Sequence, residues 1–314
     1  MIALSEAMLQ FVRWLAISGF GLAAGVAQAG EDEPVFHFDT QRVDLHVSVL
    51  DKQGRLVTGI PESAFKVWEN GVAQSLRLFR REDVPVTLGI LIDGSASMRN
   101  KRARVAAAAL ALIKESNPRD EVFMVNFNER PYLMQGLTHD IQTLEHALQG
   151  MEARGGTAMR DAVSLSIDWV KMNGTREKKV LVVVTDGSDN SSEEKMERLL
   201  PKVRRSEVLI YCIGLLNADN PHDARDARTA MKALAEASGG LDYYPRDLMD
   251  VESVTPVIAH EIRSQYLLEY SPTNQVLDGS FRKIKVSVNG QGRVNVRTRT
   301  GYYATPDPVA TAPR

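Results

Sequence analysis

The sequence predicts an α/β protein: a doubly wound, mostly parallel sheet inserted in a small antiparallel β-sandwich formed by N- and C-terminal strands. Three observations predict it. Through the middle of the chain, continuous apolar runs such as "VTLGILI" (86–92), "KVLVVVT" (179–185) and "VLIYCIG" (208–214) alternate with helical patterns, as strands covered on both faces require. Both ends instead carry alternating strands around turn signals. Each end holds too few strands for a stable core of its own, so the two are expected to share one.

The elements follow in order. In "VDLHVSVL" (43–50), Val43, Leu45, Val47 and Val49 alternate with polar residues, the period of a half-buried strand. "DKQG" (51–54) is a turn, and Asn70-Gly71 divides two strand-like runs; Asn-Gly is the strongest short hairpin signal because both residues tolerate positive φ. These strands make an antiparallel unit over about residues 35 to 82. After the apolar run at 86, Val105, Ala109 and Leu112 share one face of a helix. "EVFMVNF" (121–127) is a strand, and helices are expected in 140–151 and 158–172. A central strand at 179–185 precedes a helix in 192–206, with a kink expected at Pro201. The strand at 208–214 leads through "NADNPHDARDART", read as a mobile rim loop, to a helix in 227–240 whose Gly239 suits a left-handed C-terminal cap. A helix over about 249–264 precedes "SQYLLEYS", "FRKIKVSV" and "RVNVRTRTGYYA", separated by turns at "LDGS" and "NGQG". The tail from Thr305 has a disordered composition.

Composition narrows the function. The 314 residues are 25% charged and 44% hydrophobic, with net charge −2. That balance offers no case for nucleic acid, which needs clustered basic surface. Arg13, the apolar "WLAISGFGLAAGV" and Ala27-Gln28-Ala29 have the form of a secretory signal over residues 1–29. The apolar stretch is shorter than the ~20 residues that span a bilayer. Export to the periplasm or medium is expected, with Gly30 as the new amino terminus and no transmembrane segment in the mature chain. Cys212 is the single cysteine and lies in an apolar run, so it reads as a buried small hydrophobe. Trp169 reads as core filling. The expected organisation is a signal at 1–29, a β unit at 30–84, the α/β domain at 85–247, a linking helix and second β unit at 248–304, and a tail at 305–314.

Three loops carry the chemistry. "DGSAS" places Asp93, Ser95 and Ser97 just past the end of a buried strand, where open α/β sheets bind ligands. "RGGTAMRDA" places Thr157 immediately before a helix, and "VVVTDGSDN" places Asp186 just past another strand. Each has a plain structural reading: Ser97 as a helix cap, Gly155-Gly156 as a turn, Asp186-Gly187 as a strand end. Their placement on successive rim loops favours convergence. Two carboxylates and three hydroxyls are hard oxygen donors, suited to Mg²⁺ first, with Mn²⁺ or Ca²⁺ as alternatives, and unsuited to a thiolate or imidazole metal.

"DGSAS", "GGT" and "TDGSDN" together resemble the von Willebrand factor A (VWA) domain over about residues 85 to 245, a Rossmann-like fold, and the flanks resemble a bacterial group of secreted VWA proteins. The resemblance implies a metal-ion-dependent adhesion site (MIDAS). It implies that Ser95, Ser97 and Thr157 coordinate the metal while Asp93 and Asp186 bind it mainly through water. Asp189 and Asn190 are near enough to compete for the last role. Neutral hydroxyls leave the cation electrophilic, so an open position can accept an Asp or Glu carboxylate from a protein partner.

Enzymatic readings fare worse. A haloacid dehalogenase-type phosphatase needs a second carboxylate where Ser95 stands. No G-x-S-x-G elbow, H-E-x-x-H or P-loop occurs. The expectation is a non-enzymatic, adhesion-type binding module; the alternative is a structural or assembly subunit whose metal only stabilises the rim loops.

Overall fold

A computed structural model describes residues 41–81, 83–216, 220–247, 249–290 and 292–306. The expected signal at 1–29 and most of the tail lie outside these residues. The chain opens with β1 (Val43–Leu50), β2 (Phe65–Glu69), β3 (Val72–Gln74) and β4 (Leu76–Arg81). The α/β part runs β5 (Val86–Asp93), α1 (Arg102–Glu115), β6 (Glu121–Phe127), β7 (Pro131–Thr138), α2 (Ile141–Gln149), α3 (Met159–Asn173), β8 (Lys178–Thr185), α4 (Met196–Ser206), β9 (Leu209–Gly214), α5 (Pro221–Ser238), β10 (Asp242–Tyr243) and α6 (Val251–Ser264). It closes with β11 (Tyr266–Tyr270), β12 (Phe281–Val288), β13 (Asn295–Arg297) and β14 (Gly301–Tyr303).

The central sheet has the order β10-β9-β8-β5-β6-β7, parallel except for β7 at one edge. Every residue of β5 and of β6 is buried, because helices cover both faces. Leu88, Ile90 and Ile92 pack with Val105, Leu112 and Ile258 of α1 and α6. Leu91, Phe123 and Val183 pack on the other side with Val163, Ile167 and Met231 of α3 and α5. The periodicity at Val105, Ala109 and Leu112 thus marks the buried face of α1. Gly239 ends α5 at φ +92°, the left-handed cap anticipated from its position. Buried Cys212 sits among the apolar residues of the second face, and burial pushes its thiol pKa up.

The terminal strands interleave in two antiparallel sheets, β13-β1-β11-β4 and β14-β12-β2-β3. Leu45 faces Leu268 across β1 and β11, and Val67 faces Val286 across β2 and β12. One core holds Val43, Val47, Phe65, Leu268, Tyr270 and Tyr302, so each end buries the other's apolar face. Glu69 is 3% exposed and accepts the hydroxyls of Tyr270 at 2.8 Å and Tyr302 at 2.9 Å. A buried carboxylate needs such partners. Where the sandwich meets the α/β part, Ser48 and Tyr243 each donate to buried Glu261 at 2.8 Å.

Several elements differ from expectation. "RVNVRTRTGYYA" forms two strands in different sheets: β13 pairs with β1, and β14 with β12. Helix α4 begins at Met196 because Asp161 accepts the amides of Glu193 and Glu194, at 3.1 and 2.8 Å, and holds them outside the helix. Helix α5 begins at Pro221, with Asn220 as its cap accepting from Asp223 N. His222 therefore lies in a helical turn and not in the expected rim loop. Strands β7 and β10 were not anticipated.

Candidate functional site

Strands β5 and β8 are neighbours at the centre of the sheet, with Ile92 beside Val184. Asp93 and Asp186 therefore leave the sheet side by side at its carboxyl edge. Asp93 Oδ1 accepts from the amide of Ser95 at 2.8 Å, which turns the chain, and Oδ2 accepts from Thr185 Oγ1 at 2.6 Å. The Ser95 and Ser97 hydroxyl oxygens are 2.9 Å apart, and Ser97 Oγ donates to Asp186 Oδ1 at 2.7 Å. Residues 96–98 form a short 3-10 turn, and α1 starts only at Arg102. Ser97 is thus no cap of that helix; its hydroxyl is turned onto Asp186.

The third loop is tied to the first. Ala96 N donates to Gly155 O at 3.1 Å, and Arg154 N donates to Gly94 O at 2.7 Å. Thr157 N donates to Asn190 Oδ1 at 2.8 Å, while Thr157 O accepts from the amides of Asn190 and Ser191. Asp189 accepts from Arg160 N at 2.7 Å, Arg160 Nη2 at 3.0 Å and Ser192 Oγ at 2.7 Å. Asn190 therefore holds Thr157, Asp189 holds the start of α3, and Asp186 is the carboxylate bonded to Ser97. Two glycines allow the loops to close. A Cβ on Gly94 would lie 2.1 Å from Asn126 Oδ1 and 2.7 Å from Glu152 O. One on Gly156 would lie 2.2 Å from Ser191 Oγ.

Asp93, Ser95, Thr157 and Asp186 are buried, and Ser97 is exposed. Burial pushes the Asp93 carboxyl up to about 6; the bonds from Thr185 and Ser95 oppose this and the Asp186 charge adds to it. A partly buried ammonium answers the second carboxylate: Lys101 Nζ lies 2.5 Å from Asp186 Oδ2. Among the described residues no cluster of three or more His, Cys, Asp or Glu side chains is arranged for a metal. A cation at this rim would rest on hydroxyls as well as carboxylates. Sequence reasoning missed Lys101 and Thr185, and it placed Asn190 among the competitors for the last metal position, where the structure has it holding the Thr157 amide. Lys101 follows Ser97 by one helical turn, but it stands in a short basic run with Arg102 and Arg104, a pattern that ordinarily marks a solvated helix face.

A family model, the von Willebrand factor type A domain, matches residues 88–188. Inter-alpha-trypsin inhibitor heavy chain H4 of Bos taurus is 20% identical over 146 residues, which cover 42% of this chain and 16% of that one. The chain thus matches only about a sixth of that relative's length. A von Willebrand factor type A structure from Catenulispora acidiphila superposes with TM-score 0.50 at 13% identity, covering 87% of this chain and 76% of that chain. Proximal thread matrix protein 1 from the mussel byssus, with a zinc-occupied MIDAS motif, gives TM-score 0.46 at 15% identity, covering 62% of this chain and 49% of that one.

Proposed function

We propose that the chain carries a von Willebrand factor type A domain, whose family model matches residues 88–188, and is an exported protein-binding module that captures an acidic group of a partner through a divalent cation at the rim of the central sheet. The observation that carries this reading is the hydrogen-bonded series Asp93, Ser95, Ser97, Asp186, with the Thr157 loop bonded to Gly94 and Ala96 beside it.

The residues fit a hard cation. Every candidate donor is oxygen, and the set mixes neutral hydroxyls with two carboxylates. Two acidic groups buried side by side call for positive charge, and the Lys101 ammonium on Asp186 is positive charge drawn to that spot. Ser95, Ser97 and Thr157 would hold the cation through their hydroxyls, with Asp93 and Asp186 behind them; Mg²⁺ is the first candidate, and Mn²⁺ or Ca²⁺ fit the same donors. When bound, the cation supplies an electrophilic centre for a carboxylate oxygen of the partner. The chain's own residues do the rest. Thr185 and the Ser95 amide fix the Asp93 carboxylate, and Asn190 fixes Thr157. Ser97 is exposed and so lies where a partner can approach.

We read the site as one for binding and not for catalysis. Among the described residues, no histidine is hydrogen-bonded to Ser95 or Ser97, whose hydroxyls bond each other and Asp186. No described helix is long and apolar enough to cross a membrane, and the placement outside the cytoplasm rests on the N-terminal signal pattern. One observation favours the alternative, a structural subunit with a rim-stabilising metal: the three loops are already joined by hydrogen bonds among themselves.

Affinity capture from the envelope fraction of the source organism separates the two. Capture of a partner with Mg²⁺ that is lost with EDTA and lost in Asp93→Ala supports the module. Capture that is equal in all these conditions leaves the structural reading.

A further inference from the structure

At the other end of the central sheet lies a second candidate site. Lys179 stands near the start of β8, and Asp186 follows its end, roughly 20 Å away along the strand. Beside Lys179, a cleft of about 380 Å³ opens between the α/β part and the sandwich. Among the described residues its lining holds six cations, Arg42, Lys171, Lys179, Arg204, Arg205 and Arg299, against two carboxylates, Glu177 and Glu207.

Arg42 pairs with Asp44 at 3.3 Å, whereas Arg204 and Arg205 are positioned by aromatic rings and not by carboxylates. Arg205 lies over the Tyr303 ring at 4.2 Å and Arg204 over the Phe281 ring at 5.2 Å. Ring faces hold the guanidinium planes while leaving their N–H edges available. Arg299 is 8% exposed and bonds Glu207 through Nη1 at 3.2 Å. Its Nε is buried with no hydrogen-bond partner, and so is the Nε of Arg204. Two buried guanidinium donors without acceptors line one cleft, and a buried donor left unpaired is costly. The wall is therefore supplied with donors and short of acceptors.

From this surplus we infer that the cleft is a binding site for a multiply charged tetrahedral oxyanion, a phosphate or sulfate group. Guanidinium forks match such groups bidentately, and several converging cations suit a charge above one. A single carboxylate would use less of the cluster. The cleft is separate from the rim and does not depend on a cation there.

Calorimetric titration of the chelator-treated protein with inorganic phosphate, inorganic sulfate and acetate, at constant ionic strength, tests the inference. The expected result is saturable one-to-one binding of phosphate or sulfate, with acetate at least tenfold weaker. The arm that saturates first identifies the anion. Arg204→Gln with Arg205→Gln should weaken binding at least tenfold. Lys171→Gln, at an exposed position of α3, should weaken it severalfold and serves if the double variant unfolds. Lys114→Gln, exposed at the end of α1, and Asp93→Ala should bind as the wild type does. Absence of saturable binding overturns the site. So does binding that Lys171→Gln and the double variant leave unchanged, or acetate binding as tight as phosphate.

Discussion

Replacing Lys101 by Met probes the electrostatics of the rim directly. In the structure its ammonium lies 2.5 Å from Asp186 Oδ2, while Ser97 takes the other carboxylate oxygen. The Asp186 side chain is 1% exposed and that of Lys101 22%, so solvent screens the pair little. A hydrogen bond to a charged group contributes about 1.5–3 kcal/mol net. Lys101→Met should therefore lower the stability of the chelator-treated protein by that amount, and its melting temperature by about 2–5 °C for a chain of this size. The same ammonium opposes any cation approaching Asp186. Removing it should tighten Mg²⁺ binding by roughly ten- to a hundredfold, the same free energy read as an affinity. Thermal unfolding with EDTA and with saturating Mg²⁺, together with Mg²⁺ calorimetry, reads both effects. The variant should melt lower with EDTA and should regain the difference with Mg²⁺. Unchanged or weaker Mg²⁺ binding in Lys101→Met would refute the idea that ammonium and metal share one place.

Other outcomes follow from single contacts. Gly94→Ala forces a Cβ against Asn126 and the Glu152 carbonyl; it should destabilise by about 1–3 kcal/mol and weaken Mg²⁺ binding, and a variant with wild-type melting and Mg²⁺ affinity would contradict the loop geometry. His46 lies where β1 meets the α/β part, in a cavity with Arg176, Lys178, Arg299, Asp44, Glu177 and Glu207. Burial, then Lys178 and Arg299, hold its imidazole well below the usual 6.5. Below pH 6.5 the unfolded chain binds a proton that the folded chain refuses, so stability falls with pH, by up to about 1.4 kcal/mol per unit. Urea unfolding at pH 7.5 and 5.5 should show a smaller loss in His46→Asn than in the wild type, and equal losses would refute the assignment. Deleting residues 270–314 removes β12 and β14, partners of β2 and of each other, and strips the shared core of Tyr270, Ile284 and Tyr302. Hydrogen exchange should then accelerate through β1 and β2; full retained protection would show an N-terminal unit able to stand alone.

Much of the fold was legible because burial and periodicity agree. Strand β6 occupies 121–127 as read, and the continuous apolar runs at 86, 179 and 208 are central strands. Strand β10 has two residues, too few for any period. Strand β7 is an edge strand, exposed or half-buried throughout, with register shifts opposite β6. The alternation of 293–304 was real, but period two does not say which sheet a strand joins. The chain changes sheets between β13 and β14, around buried Arg299. At the rim, the loops of Asp93, Thr157 and Asp186 could be read one by one, since each ends a strand or begins a helix. Their cross-bonds could not: Thr185 to Asp93, Asn190 to Thr157 and Lys101 to Asp186 join residues 33 to 92 positions apart in sequence. The basic cleft was hidden for the same reason, because its cations come from separate segments in a chain whose net charge is only −2.

The claim that the rim holds a divalent cation on serine hydroxyls and offers it to a carboxylate is tested most directly with Mn²⁺ as the probe. Electron paramagnetic resonance reports free Mn²⁺, and water-proton relaxation reports water on the bound ion. Wild-type protein should remove the free-ion signal at one equivalent, and glutarate or an Asp-containing peptide should then lower the relaxation by displacing that water. Ser95→Ala with Ser97→Ala should leave the ion free. A wild-type protein that leaves Mn²⁺ free, or a double variant that binds it as tightly, would contradict the assignment.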